Sequence, residues 1–140
     1  MDHGAEPEFG LEAKLKAAGL RPTQQRAGLA RLLFGQGNRH VTAEMLHAEA
    51  VSHNMAVSLA TVYNTLNRFA EHGLLREVAV EGSKAYFDTT ISDHQHFYFE
   101  KDGTLIDLPP GEQATVTIPR LPEGMKVARI DVLIRLLPAN

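Results

Sequence analysis

The sequence predicts an α+β chain, a winged helix-turn-helix domain followed by a small strand-rich domain. Three observations carry that expectation. Apolar residues at helical spacing recur four times before Gly73, each run marked by a start signal, a stop signal or both. After Gly73 the period falls to two, and Glu81-Gly82-Ser83 separates two short alternating runs as a hairpin turn would. The remainder of the chain then offers strands, turns and prolines.

Residues 1–10 contain Asp2, Glu6 and Glu8 without a basic residue and are expected to be a flexible acidic tail. Leu11, Leu15 and Ala18 share one face of a first helix, stopped by Gly19. Thr23, after Arg21-Pro22, caps a second helix with Ala27, Leu29, Ala30, Leu32 and Leu33 as its apolar positions, ended by Gly35 and Gly37. His40 falls in a loop before a third helix, capped by Thr42, with Glu44 in its first turn and Met45, Leu46 and Ala50 turned inward. Ser58 caps a fourth helix running to His72, with Gly73 as its left-handed stop. Residues 75–80 and 84–88 form the wing, so the first domain spans 11–88.

The second domain, 89–140, holds a hairpin of residues 96–100 and 104–108 around Asp102-Gly103. Prolines 109, 110, 119 and 122 punctuate a loop in which 115–118 could extend. Residues 126–137 read as a last strand with Ile130, Val132, Ile134 and Leu136 on one face. Three strands with one apolar face are marginal alone. Pairing across a two-fold axis would cover that face, so a homodimer is expected.

Composition excludes several chemistries. The chain has no cysteine, which removes disulfides, zinc–thiolate sites, iron–sulfur clusters and thiol catalysis. No run approaches the roughly 18 apolar residues of a membrane span and no signal-peptide pattern opens the chain, so a soluble cytoplasmic protein without a membrane partner is expected. The net charge of −3 disfavours nucleic acid at first sight. Its distribution reverses that: residues 11–87 carry +3 and residues 88–140 carry −3, so the two segments have different tasks.

The fourth helix has the composition of a DNA reader. Leu59, Val62, Leu66, Phe69 and Ala70 fall on one face and are expected in the core. Ala60, Thr61, Asn64, Thr65 and Arg68 fall opposite, with Tyr63 at the border. Asn pairs bidentately with adenine, Arg with guanine, and small methyls touch thymine, whereas an ordinary solvated face would carry more Glu and Lys. Lys16 and the wing-tip Lys84 are candidate minor-groove or phosphate contacts, giving an interface of Lys16, Ser58, Ala60, Thr61, Tyr63, Asn64, Arg68 and Lys84 on a double-stranded DNA operator.

His94-Gln95-His96 enters a strand, where period two turns both imidazoles to one side. With Asp88, Asp107 and His40 they make a nitrogen/oxygen donor set suited to Fe2+, Mn2+ or Zn2+. The competing enzyme reading rests on His94-x-His96-x-x-x-Glu100, half of a cupin metal motif, and it requires a β-barrel that the helical first half contradicts.

Arg21-Pro22-Thr23-Gln24-Gln25-Arg26, His40-Val41-Thr42-Ala43-Glu44, the run Ser58 to Leu66 and Tyr86-Phe87-Asp88 together resemble the ferric uptake regulator family. Asp93 to Tyr98, with Gly103 to Pro109, is most similar to its iron response regulator branch. The resemblance implies a non-enzymatic transcriptional regulator of iron homeostasis genes, with a C-terminal α/β dimerisation lobe. It implies a reading helix starting at Ser58, Lys16 in the minor groove, and an interdomain regulatory site of His40, Asp88, His94, His96 and Asp107. Haem is a further effector implied by that branch, and peroxide sensing through the same donors is the alternative within the family. The Cys-x-x-Cys pairs of a structural zinc are absent here, as is the branch's Cys-Pro haem motif, and Gln95 interrupts its histidine run.

Overall fold

The structure, a computed structural model, describes residues 8–81, 84–92 and 94–139. It divides into two compact units, one ending at Ile91 and the other beginning at Ser92.

The first unit contains α1 (Glu8–Ala17), α2 (Gln24–Phe34), β1 (His40–Val41), α3 (Ala43–Ser52), α4 (Leu59–Glu71), β2 (Arg76–Glu81) and β3 (Lys84–Asp88). Residues 8–10 are helical and therefore not part of the expected tail. Thr23, Thr42 and Ser58 cap their helices by accepting from the amides of Arg26, Met45 and Thr61. Each cap satisfies one of the donors that a helix start leaves without an internal acceptor.

The helix ends are equally specific. At Gly73, φ is +79°, the Gly73 amide reaches Ala70 O at 3.1 Å and the Leu74 amide reaches Phe69 O at 2.9 Å. That reciprocal pair closes the last turn and turns buried Leu74 back onto the core. Gly19 ends α1 in the same way, with φ +83° and Leu20 N bonded to Leu15 O. His72 then ties the two ends together, its Nδ1–H donating to Ala18 O at 2.8 Å.

One core joins Leu11 and Leu15 of α1, Leu29 and Leu33 of α2, Leu46 and Ala50 of α3, Val62, Leu66 and Phe69 of α4, and Phe87 of β3. Phe69 is fully buried with its ring centroid 6.1 Å from that of Phe34. Phe69→Ala is expected to destabilise the protein by about 3–5 kcal/mol, read as a lowered urea midpoint at constant slope.

Four expectations for this unit change. His40 lies in a strand, β1, antiparallel to β3, so the sheet order is β1-β3-β2. Met45 and Leu59 are exposed: Met45 lies off the face that buries Ala43, Leu46 and Ala50, and Leu59 is the first residue of α4, ahead of the buried Val62. Thr65 is 7% exposed and belongs to the core face. At roughly 100° per residue it lies only about 40° from Phe69.

The second unit is a three-stranded sheet in the order β5-β4-β6, from β4 (His96–Phe99), β5 (Thr104–Asp107) and β6 (Leu133–Leu136). β4 and β5 form the expected hairpin, turned at Gly103 with φ +72°. β6 is shorter than the expected last strand and pairs parallel to β4, so Ile130 and Val132 precede it. A parallel pair needs a long crossover, usually helical. The described residues 108–132 supply the length with neither helix nor strand. Pro109, Pro110, Pro119 and Pro122 explain why, since each removes an amide donor and biases its predecessor away from helix. The expected extension over 115–118 is likewise absent.

The strands of the described residues form two separate three-stranded sheets and no β-barrel, which overturns the cupin alternative. Among the described residues, no helix is long and apolar enough to cross a membrane.

Candidate metal centre and nucleic-acid interface

Each unit carries its own cluster of metal-type donors. In the first unit, antiparallel register places His40 of β1 directly opposite Asp88 of β3. Cross-strand partners present their side chains on one face. His40 Nε2 accordingly lies 3.0 Å from Asp88 Oδ2. Asp88 is 1% exposed, and its other oxygen accepts from the Thr90 amide at 2.9 Å. One carboxylate oxygen is thus committed to the backbone, which fixes the direction of the second.

In the second unit, His96 stands opposite Asp107 in the β4–β5 ladder, and His94 precedes the strand. His94 Nε2 is 3.0 Å and His96 Nε2 is 3.4 Å from the same oxygen, Asp107 Oδ1. The two rings lie 4.5 Å apart at 55°, so their nitrogens converge without stacking. His94 Nδ1–H donates to Ser92 O at 2.7 Å. That bond selects the tautomer whose Nε2 lone pair faces Asp107, as an outer hydrogen bond does for metal-binding histidines. Ligands at about 2.0–2.2 Å from an ion stand roughly 2.9–3.5 Å from one another. The spacings in both clusters match that edge length. The donors are nitrogen and oxygen only, the set that suits Fe2+, Mn2+ or Zn2+.

Gln95, between the two histidines, has a different task. Its Oε1 accepts from the Ala114 amide at 2.7 Å and its Nε2 donates to Ala114 O at 3.0 Å. The side chain thus acts as one rung of a ladder, anchoring the crossover segment beside the histidines.

The candidate DNA-reading helix is α4. Its start is held by two bonds to the preceding turn, Gln25 Nε2 donating to Ala56 O and His47 Nε2 donating to Val57 O. Ala60, Asn64 and Arg68 are exposed, and Thr61 is half-buried. Ser58 is exposed, but its hydroxyl is engaged with Thr61 in the cap, leaving it less to offer a base. Tyr63 is exposed and donates to Glu44. Lys16 is exposed on α1, while the side chain of Lys84 lies outside the described residues.

Two residues not foreseen from sequence, Arg26 and Asn67, line the same groove as Thr61, Asn64, Arg68 and Glu71. Asn67 was legible in principle, one turn beyond Asn64 on the wheel. Arg26 reaches α4 only through the packing of the fold.

The sequence profile of the ferric uptake regulator family matches residues 17–132. The peroxide-responsive repressor PerR of Staphylococcus epidermidis is 32% identical over 107 residues, 76% of this chain and 69% of that one. PerR of Staphylococcus aureus is 32% identical over 95 residues, 68% of this chain and 64% of its own length. Among solved structures, the manganese-containing ferric uptake regulator of Pseudomonas aeruginosa superposes with a TM-score of 0.70 at 21% identity, covering 92% of this chain and 98% of that one. The ferric uptake regulator of Vibrio cholerae gives 0.71 at 22% identity, covering 90% and 98%.

Proposed function

The chain belongs to the ferric uptake regulator family, and we propose that it is a DNA-binding regulator governed by one divalent ion bound through His40, Asp88, His94, His96 and Asp107. Members of the family are transcriptional regulators, not enzymes, and are dimeric DNA-binding proteins with metal effectors. The observation that carries the proposal is the convergence of His94 and His96 on one oxygen of Asp107. The first cluster offers two donors and the second three, whereas an octahedral manganese site takes six, so the two sets together fill such a site more nearly than either does.

His40 and Asp88 of the first unit and His94, His96 and Asp107 of the second would hold the ion, whose positive charge would offset the two carboxylates. The residues do the rest. Asp88 is held by Thr90, His94 by Ser92, and His40 by its place opposite Asp88. Through β1 and β3 the ion would govern the unit that carries α4, and hence the spacing of two reading helices in a dimer. Metal analysis after loading with Mn2+ is expected to give one ion per chain. Two ions per chain, one for each cluster, would contradict the shared site.

A bare ion is favoured over haem as effector. His96 is 3% exposed, too covered to offer an axial bond to a porphyrin face, and the Gln95 amide is already engaged. A second reading, peroxide sensing, is favoured by the two PerR relatives and by the three-histidine, two-aspartate donor set. It requires a mass gain of one oxygen on His40 or His94 when the iron-loaded protein meets peroxide. Unchanged histidine masses would leave the iron-responsive reading.

A further inference from the structure

The outer face of α4 is free of acidic side chains until Glu71, yet one carboxylate from another helix is bonded to it. Glu44, in the first turn of α3, accepts a hydrogen bond from Tyr63 Oη at 3.0 Å. Both residues are exposed, Tyr63 to 37%, so core packing does not impose the pair. The cap of α3 is made by Thr42, which accepts from Met45 N, so the Glu44 side chain is left to serve the helix start by its charge and to bond Tyr63. A lone carboxylate on a surface that must approach phosphates opposes binding.

We infer that Glu44 is a specificity-determining positioning residue, which fixes the ring of Tyr63 at the edge of the reading face. The inference rests on the reading of α4 as the DNA-contacting helix. Two torsions set a tyrosine ring, and anchoring the hydroxyl restricts both. With its hydroxyl engaged by Glu44, Tyr63 offers a base its apolar ring edge, suited to a thymine methyl. The phenol does not cancel the Glu44 charge, so Glu44 repels phosphate on selected and unselected duplexes alike, and preference rests on the fixed ring. The same bond pushes the Tyr63 phenol above its usual range, with desolvation and the Glu44 charge adding to it, so Tyr63 is the donor at neutral pH.

The test uses the full-length, Mn2+-loaded protein, a duplex selected by it from a random pool, and a scrambled duplex of equal composition. The readout is the ratio of the two affinities. Glu44→Ala and Tyr63→Phe are each expected to lower this ratio about five- to tenfold, as loss of a hydrogen bond to a charged acceptor allows. The double variant should fall no further, because both changes remove one interaction. Glu44→Gln keeps an acceptor and should restore most of the ratio, while tightening binding to both duplexes alike by an amount that fades with salt. Absorbance titration should show the Tyr63 phenol ionising at lower pH in Glu44→Ala. Equal weakening on both duplexes, or additive losses in the double variant, would overturn the inference. Asn64→Ala separates the two levels: if it too leaves the ratio intact, the reading of α4 fails as well, and if it alone lowers the ratio, only the role of Glu44 fails.

Discussion

Replacing His96 by Ala is expected to lower Mn2+ or Zn2+ affinity by more than about 100-fold in a calorimetric titration, since losing only an outer partner of a ligand costs roughly 10–100-fold. His96 is the most buried of the three donors in its unit and shares Asp107 Oδ1 with His94. Its removal leaves a single imidazole facing that carboxylate. The strand itself should persist, because β4 is held by backbone pairing on both sides, to β5 and to β6. Unchanged circular dichroism with lost ion affinity is therefore the expected pair of results. His40→Ala should cost less affinity, since His94, His96 and Asp107 still offer partial coordination, but should uncouple the ion from DNA binding. Ion affinity retained in full by His96→Ala would exclude the proposed site.

Asn64→Ala and Arg68→Ala should each weaken binding to a selected duplex by roughly 1–3 kcal/mol and relax the preference at the base pair contacted. Both side chains are exposed in the groove along α4, and neither belongs to the core. Lys16→Ala should behave differently. A phosphate or minor-groove lysine weakens selected and scrambled duplexes alike and reduces the salt slope by about 0.9. An anisotropy titration over several salt concentrations separates the two classes. If Asn64→Ala and Arg68→Ala lowered the salt slope without touching preference, they would be backbone contacts and α4 would lie differently on the duplex.

Local signals made much of the fold legible. Thr23, Thr42 and Ser58 announce helix starts because a hydroxyl before an apolar run can accept an otherwise unpaired amide. Gly73 announces an end because the reversal needs a positive φ. His94, His96 and Asp107 could be paired in advance because a hairpin around Gly103 sets their register. Other features escaped because they are non-local or too short. β1 has two residues, too few for any period to show, and its pairing with β3 comes from packing of the first unit. The parallel β4–β6 pair has no turn signal, since its partners are separated by a proline-rich crossover. The bond from Tyr63 to Glu44 crosses between helices, so no spacing along the chain encodes it.

Whether an ion at these donors governs DNA binding is decided by one ratio. A selected duplex is titrated with Mn2+-saturated protein and with chelator-stripped protein, in parallel for the wild type and His96→Ala. Coupling between sites of 1–3 kcal/mol corresponds to an affinity ratio of about 5–150 in the wild type. A ratio in that range is expected for the wild type and a ratio near one for His96→Ala. Equal ratios in the two proteins, whatever their size, would contradict that expectation.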